Sequence, residues 1–213
     1  MIVGRVMTKN PVFVHPDMTI NEVRSIMEKD KIGHLPVLNK NNELVGLMTR
    51  KDLIKAGPSA ATSLDMYEIS YLLSKITVKD VMEKKVIKTV EDEIVEEAAR
   101  IMADNDIGCL PVMREKVLVG IITDTDLFHV FLNAFGARHS GLRITLTMQD
   151  KPGQLAKLAH AIAEKEGNIV AFVADEGDDI SGRRVTLKVS GISRKDIETI
   201  VKTIGGTELE DIR

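Results

Sequence analysis

Two stretches of the chain are written to one formula. "GLMTRKDL" (Gly46 to Leu53) returns about 75 residues later as "GIITDTDL" (Gly120 to Leu127), and "KIGHLPVL" (Lys31 to Leu38) returns as "DIGCLPVM" (Asp106 to Met113). Val6-Met7 opens the first copy and Val81-Met82 the second. The copies span roughly 2–57 and 77–135, and the second is one residue shorter between Pro111 and Gly120, which implies a tighter turn. An internal repeat constrains the architecture before local propensity is weighed. A unit of under about 60 residues buries too little apolar surface to stand alone. The two copies are therefore expected to pack sheet to sheet as one module.

Each copy reads β-α-β-β-α. "PVFVH" and "VIKTV" supply a short first strand. A helix follows. In the first copy, Thr19 and Glu22 in "TINE" have capping-box spacing, and Ile20, Val23, Ile26 and Met27 share a face. In the second copy Ile94, Ala98, Ile101 and Met102 should do the same. "HLPVLN" and "ELVGLMT" are two strands joined by a turn, "NKNN" here and "REK" in the second copy. A second helix starts at Thr49 or Thr123.

Between the copies, "AGPSAATS" is a loop and "LDMYEISYLLSKI" a linker helix with Leu64, Tyr67, Tyr71 and Leu72 expected inward. After Phe135, "GARHSG" has the composition of a hinge. The remainder changes rhythm. "LRITLTMQ" alternates like a strand. "DKPGQLAKLAHAIAEKEG" is a helix with Asp150 as its cap, Pro152 in its first turn, Leu155, Leu158 and Ile162 as its stripe and Gly167 at its end. A hairpin with an acidic loop, a helix from "SRKDIETIVKTIGG" and a strand "TELEDI" complete a βαββαβ order, a ferredoxin-like plait. The fold class is α/β (α+β): two β-α-β-β-α repeats packed as one module (1–57 and 77–135, with linker 58–76), a hinge at 136–141 and a plait over 142–213.

Composition narrows the function classes. Hydrophobic residues make up 44% and charged residues 29%, the balance of a soluble globular chain. The net charge of -3 comes with both signs interspersed and no basic run, which speaks against nucleic-acid binding. The longest apolar runs fall short of the roughly 20 residues that span a bilayer, and "MIVGRVMTKNP" lacks a signal-peptide core, so no membrane role is expected. Cys109, the single cysteine, cannot form an internal disulfide, and the expected location is cytoplasmic. In its apolar run it reads as packing. Aromatics are only 3%, so a planar ligand would lie between aliphatic side chains and backbone. The five histidines (His15, His34, His129, His139, His160) have no zinc-ligand spacing, and no nucleophile elbow, P-loop or dinucleotide fingerprint occurs. No metal, no required cofactor and no catalysis are expected.

The repeated Thr-x-x-Asp has two readings. It is a capping box for the helix that carries Leu53 or Leu127, worth about 1 kcal/mol. The same geometry also makes a nucleotide cradle. Amides at the strand-to-helix turn face an anion, Thr49 or Thr123 adds a hydroxyl, and Asp52 or Asp126 can accept two hydrogen bonds from a ribose diol. Arg50 and Lys51 add charge for phosphates. Asp124 and Thr125 replace them in the second copy, which should disfavour highly charged phosphates unless a metal bridges them.

The residues "VMTKNPVFVHPDMTI", "IGHLPV" and "GLMTRKDL", repeated as "VMEKKVIKTV", "IGCLPV" and "GIITDTDL", resemble a tandem pair of CBS domains, a Bateman module, over about the first 135 residues. "MQDKPGQLAKLAHAIAEKEGNI" resembles an ACT domain. The order CBS–CBS–ACT is similar to that of proteins of acetoin utilization. The resemblance implies an adenosine-containing ligand: AMP, ADP, ATP, S-adenosylmethionine or NAD. It implies one cleft in which Thr49 and Asp52 hold ribose and phosphate with adenine near Ile87 and Ile107. In the other, Thr123 and Asp126 work with Val12 and Ile32. Leu47 and Ile121 would line the walls, and His34 stands where some relatives carry a basic phosphate contact. Cys109, in the matching place, cannot do that work. For the ACT part, the resemblance implies an amino-acid site at Asp150, Gly153 and Asn168, or dimerisation alone. A homodimeric, non-enzymatic allosteric regulator is the expectation. The rival reading is a ligand-free dimeric scaffold that regulates a partner enzyme.

Overall fold

The computed structural model describes residues 1–57, 65, 67, 68, 71, 74–176 and 182–213. The chain divides into two compact units, Met1–Leu127 and Phe128–Arg213.

In the first unit, copy one contributes α1 (Val3–Val6), β1 (Thr8–Lys9), α2 (Ile20–Lys29), β2 (His34–Leu38), β3 (Leu44–Thr49) and α3 (Arg50–Ala56). Copy two contributes α4 (Val78–Val81), β4 (Thr89–Val90), α5 (Val95–Asp104), β5 (Cys109–Arg114), β6 (Val117–Thr123) and the start of α6 (Asp124–Ala134). The capping box at Thr19 is formed: the Thr19 amide donates to Glu22 Oε2 at 2.7 Å and the Glu22 amide to Thr19 Oγ1 at 3.3 Å. Ile20, Val23 and Met27 are buried as their spacing predicts. In α5 the buried face is Val95, Ala98 and Met102, with Ile101 packed against them. Ile94 departs from expectation: it is the N-cap residue, 51% exposed, because the helix begins one residue later than the apolar run suggests.

The first strands are also shorter than "PVFVH" and "VIKTV" imply. Only Val14 bridges to Val37, in parallel, and only Thr89–Val90 pair with Val112–Met113. Tyr67 and Tyr71 of the linker are 87% and 60% exposed rather than inward. The Lys75 ammonium stands 4.3 Å from the centre of the Tyr71 ring, a contact made at the surface. Leu64 and Leu72 lie outside the described residues.

The packing of the copies was not legible in the repeat. Each gives its opening segment to the other. Thr8–Lys9 pair antiparallel with Ile121–Gly120 of copy two, and Glu83 bridges back to Leu47 of copy one. Ile2 bridges to Ile94, and Thr77 to Thr19. The cores follow this exchange. Val78, fully buried, belongs to the cluster of Ile20, Val23, Met27, Leu35, Val37 and Met48. Val3 and Met7 belong to the cluster of Ala98, Met102, Leu110, Val112 and Ile122. Burying each such side chain stabilises by about 1.5–3 kcal/mol. The two glycines of the formula are explained here. A Cβ at Gly46 would fall 2.4 Å from Met82 Sδ, and one at Gly120 would fall 2.3 Å from Met7 Sδ. Each glycine leaves room for the methionine that the other copy sends across.

The second unit is the expected plait. β7 (Leu142–Gln149), β8 (Asn168–Glu176), β9 (Gly182–Ser190) and β10 (Thr207–Ile212) form one antiparallel sheet in the order β10-β7-β9-β8. α7 (Gln154–Glu164) and α8 (Arg194–Thr203) cover one face. Their Leu158, Ile162, Ile197, Ile200 and Val201 pack on Ile144, Leu146, Met148, Val185, Leu187 and Val189. Ser193 caps α8 by accepting from the Asp196 amide at 3.2 Å. The start of α7 differs from expectation. Its N-cap is Gly153 at φ 87°, a conformation that glycine adopts without penalty, and Pro152 lies in the turn before it. Asp150 is therefore too early to cap, and pairs with Arg183 at 3.2 Å. Leu155 is 44% exposed and outside the stripe. At the other end the left-handed residue is Glu166, at φ 57°. Gly167 serves packing instead, since a Cβ there would meet Ile162 Cγ2 at 2.8 Å.

Candidate functional site

Both Thr-x-x-Asp formulas fold into complete reciprocal caps. The Thr49 amide and hydroxyl donate to Asp52 Oδ2 at 2.8 and 2.7 Å, and the Asp52 amide reaches Thr49 Oγ1 at 3.4 Å. Thr123 and Asp126 repeat this at 2.8, 2.8 and 3.4 Å. The cap and the cradle are therefore compatible. The cap engages one carboxylate oxygen, Oδ2, and fixes the side chain. Oδ1 of each aspartate makes no hydrogen bond among the described residues. All four side chains are half-buried. A carboxylate held still at the positive end of a helix, with one free oxygen, is set to accept hydrogen bonds from a diol.

The two copies meet where these turns begin. The Arg50 amide donates to Gly33 O at 3.1 Å, and the Asp124 amide to Gly108 O at 3.0 Å. The Arg50 side chain passes over Gly33, where a Cβ would lie 3.7 Å from Nε. A Cβ at Gly108 would lie 3.3 Å from Asp124 Oδ2 and 3.4 Å from His34 Nε2. His34 of copy one and Asp124 of copy two thus converge on one glycine. His34 sits opposite Thr49 across the β2–β3 hairpin, as Cys109 sits opposite Thr123. Burial holds the His34 imidazole below its ordinary range, the Asp124 carboxylate opposes that, and Arg50 adds to the lowering. Cys109 is buried, and burial, with a smaller push from Asp124, raises its thiol to about 12. It is inert packing at neutral pH.

The remaining residues of the expected clefts differ in burial. Ile32 packs on the core of copy one and Ile107 on that of copy two. Val12 and Ile87 are 44% and 37% exposed. Leu47 is half-buried, whereas Ile121 is buried, leaving little surface for a ligand. Arg50 and Lys51 are exposed. In the second unit Asp150, Gly153 and Asn168 are all exposed. Sequence reasoning missed Gln154. Its Nε2 donates to Gly205 O at 3.5 Å, and its Oε1 is buried without a partner among the described residues.

The CBS-domain family profile matches residues 3–59 and 78–133, and a TTHA0829-like ACT domain matches 140–213. The chain belongs to the CBS-domain family. These are regulatory, non-catalytic modules. Among solved structures, the CBS domain pair is similar to that of protein MJ0100 in complex with 5'-methylthioadenosine and S-adenosyl-L-methionine. It is 28% identical at TM-score 0.53, covering 65% of this chain and 98% of that one. An acetoin utilization protein (AcuB) from Vibrio cholerae is similar at 30% identity and TM-score 0.54, over 65% of this chain and 95% of that one. CBSX2 in complex with AMP is similar at 27% identity and TM-score 0.52, over 62% of this chain and 96% of that one. Among curated relatives, MJ1426 of Methanocaldococcus jannaschii is 30% identical over 58% of this chain and 88% of its own length. The inosine-5'-monophosphate dehydrogenase of that organism is 31% identical over 78% of this chain, which spans only 31% of the enzyme. Among the described residues, no helix of this CBS protein is long and apolar enough to cross a membrane.

Proposed function

We propose that the chain is a non-enzymatic regulatory sensor whose CBS pair binds an adenosine-containing ligand and whose ACT domain takes an amino acid or pairs with a second copy. The observation that carries this reading is the free Oδ1 on two immobilised, half-buried aspartates at helix starts. The adenosine ligands of the MJ0100 and CBSX2 structures support it. Arg50, Lys51 and His34 favour a phosphorylated ligand such as AMP, ADP, ATP or NAD beside Asp52. Asp124 favours an adenosine without phosphate beside Asp126. In the ACT domain, the orphaned Oε1 of Gln154 suits an ammonium, and Asp150, Gly153 and Asn168 would flank it. The signal would pass as a population shift between arrangements of the module, through residues 136–141. A cytoplasmic homodimer acting on a partner enzyme, in acetoin utilization or a related process, completes the reading.

Titration calorimetry with AMP, ATP, NAD, S-adenosylmethionine and 5'-methylthioadenosine tests it, on the wild-type chain and on Asp52→Ala and Asp126→Ala. Loss of one ligand class in one variant, with folding retained, supports the clamp and names the cleft. If no adenosine compound binds and both variants are only less stable, by about 1 kcal/mol, the formulas are caps and the reading falls.

A further inference from the structure

The face of the ACT sheet opposite α7 and α8 carries a feature that neither the expected CBS clefts nor the turn around Gly153 accounts for. Arg143 of β7 and Lys188 of β9 stand directly opposite one another in the antiparallel register. Both side chains alternate away from the core residues Ile144 and Leu187, so they share this face. Like charges directly opposite each other destabilise a sheet. On its other side Lys188 faces Ala171 of β8, which offers no charge. Lys188 is half-buried and makes no ion pair or hydrogen bond among the described residues. Arg143 donates to Thr145 Oγ1 at 3.1 Å, and its nearest carboxylate, Asp211 at 3.5 Å, is held at 2.9 Å by Arg213.

A cavity of about 130 Å³ opens beside these two cations. Phe135 and Ala137 wall it on one side and Ala171 and Val173 on the other, while Thr186 adds a hydroxyl. The Phe135 ring is backed by Phe131, with centroids 4.3 Å apart. The chain can lie this close to the sheet because of Gly136. It sits at φ 60°, and a Cβ there would meet Ala171 Cβ at 3.1 Å and Val170 Cγ1 at 3.3 Å. The volume is below the roughly 300–1,000 Å³ of sites for drug-sized ligands, so the occupant is small. Two cations at one end and aliphatic and aromatic walls at the other describe it further.

We infer that this cavity binds a small monocarboxylate with a short branched apolar tail, the carboxylate between Arg143 and Lys188 and the tail against Phe135, Ala171 and Val173. An α-ammonium group would be repelled by the two cations, so free amino acids are poor occupants. The site is thus separable from an amino-acid site near Gly153, and it does not depend on adenosine binding. One wall belongs to the stretch between the CBS and ACT matches, so occupancy bears on the segment that links them.

The test is titration calorimetry of the full chain with isovalerate, against isovaleramide and leucine. Isovalerate should bind saturably, and the neutral amide and the amino acid about tenfold or more weakly. Lys188→Met keeps the stem, removes the charge and should weaken isovalerate by about tenfold or more, the loss expected for a charge-assisted hydrogen bond. Lys188→Arg should restore most of the affinity. Thermal unfolding without ligand shows whether each variant is folded. The inference is overturned if isovalerate does not bind, if the amide binds equally well, or if a folded Lys188→Met binds as the wild type does.

Discussion

The two CBS copies share a scaffold and differ in what they place on it. Each has a capped aspartate after a hairpin, a glycine that receives the other copy's methionine, and a glycine before the first hairpin strand. At the start of the second helix, copy one has Arg50 and Lys51 where copy two has Asp124 and Thr125. At the start of the first hairpin strand, copy one has a half-buried histidine and copy two a buried cysteine. The backbone formula repeats because the hydrogen bonds and the close approach demand it. The charges are free to diverge, and they oppose each other where the copies meet. The duplicated fold has kept its geometry and split its chemistry.

The largest expected effect tests whether the geometry is as symmetric as this account requires. Gly46→Ala and Gly120→Ala should each destabilise the first unit by about 1–3 kcal/mol, because Met82 or Met7 must shift in a packed core. Urea unfolding of the two variants measures this, and a clear loss in only one would break the symmetry. The next effect addresses the charges. Arg50→Asp should weaken AMP about tenfold, and Asp124→Arg should let the second cleft take AMP, read as a change in stoichiometry by calorimetry. If AMP binding ignores both changes, the split in chemistry has no functional meaning. A smaller effect contrasts Val14 with Thr89, which occupy matching places. The Thr89 hydroxyl is buried without a partner among the described residues, so Thr89→Val should gain about 1 kcal/mol in the same unfolding experiment. The smallest effect concerns His34. Its folded-state pKa lies below the ordinary 6.5, so folding favours the neutral ring. That contribution is complete above pH 6.5 and is lost as pH falls through the folded value. His34→Gln should flatten that part of the pH–stability curve, whereas Cys109→Ser should leave its slope unchanged.

Local chemistry was legible in the sequence, and long-range placement was not. The caps at Thr19, Thr49 and Thr123 could be read because donor and acceptor lie three residues apart. The βαββαβ order could be read because its periods change cleanly. The start of α7 could not, since Asp150 suits a cap equally well until Gly153 takes a left-handed turn. Ile94 has the right spacing but stands at the cap. The exchange of opening segments was hidden because Met7 and Gly120 are over a hundred residues apart, although Val-Met and Gly-x-x-Thr are both duplicated. Of the expected cleft residues, only the capped threonines and aspartates could be read from their spacing. Ile87 and Val12 lie on segments too short and exposed for periodicity to orient them.

The crossing of the opening segments bears on how the chain can be made. Residues 1–9 have nowhere to dock until β6 has left the ribosome, and copy one lacks a closing wedge until residues 76–84 emerge. Neither half can mature as a separate foldon during synthesis, so the nascent first repeat must wait, partly open, until residues 76–84 have followed it. A gene cut between the repeats would yield fragments that regain their cores only by finding each other.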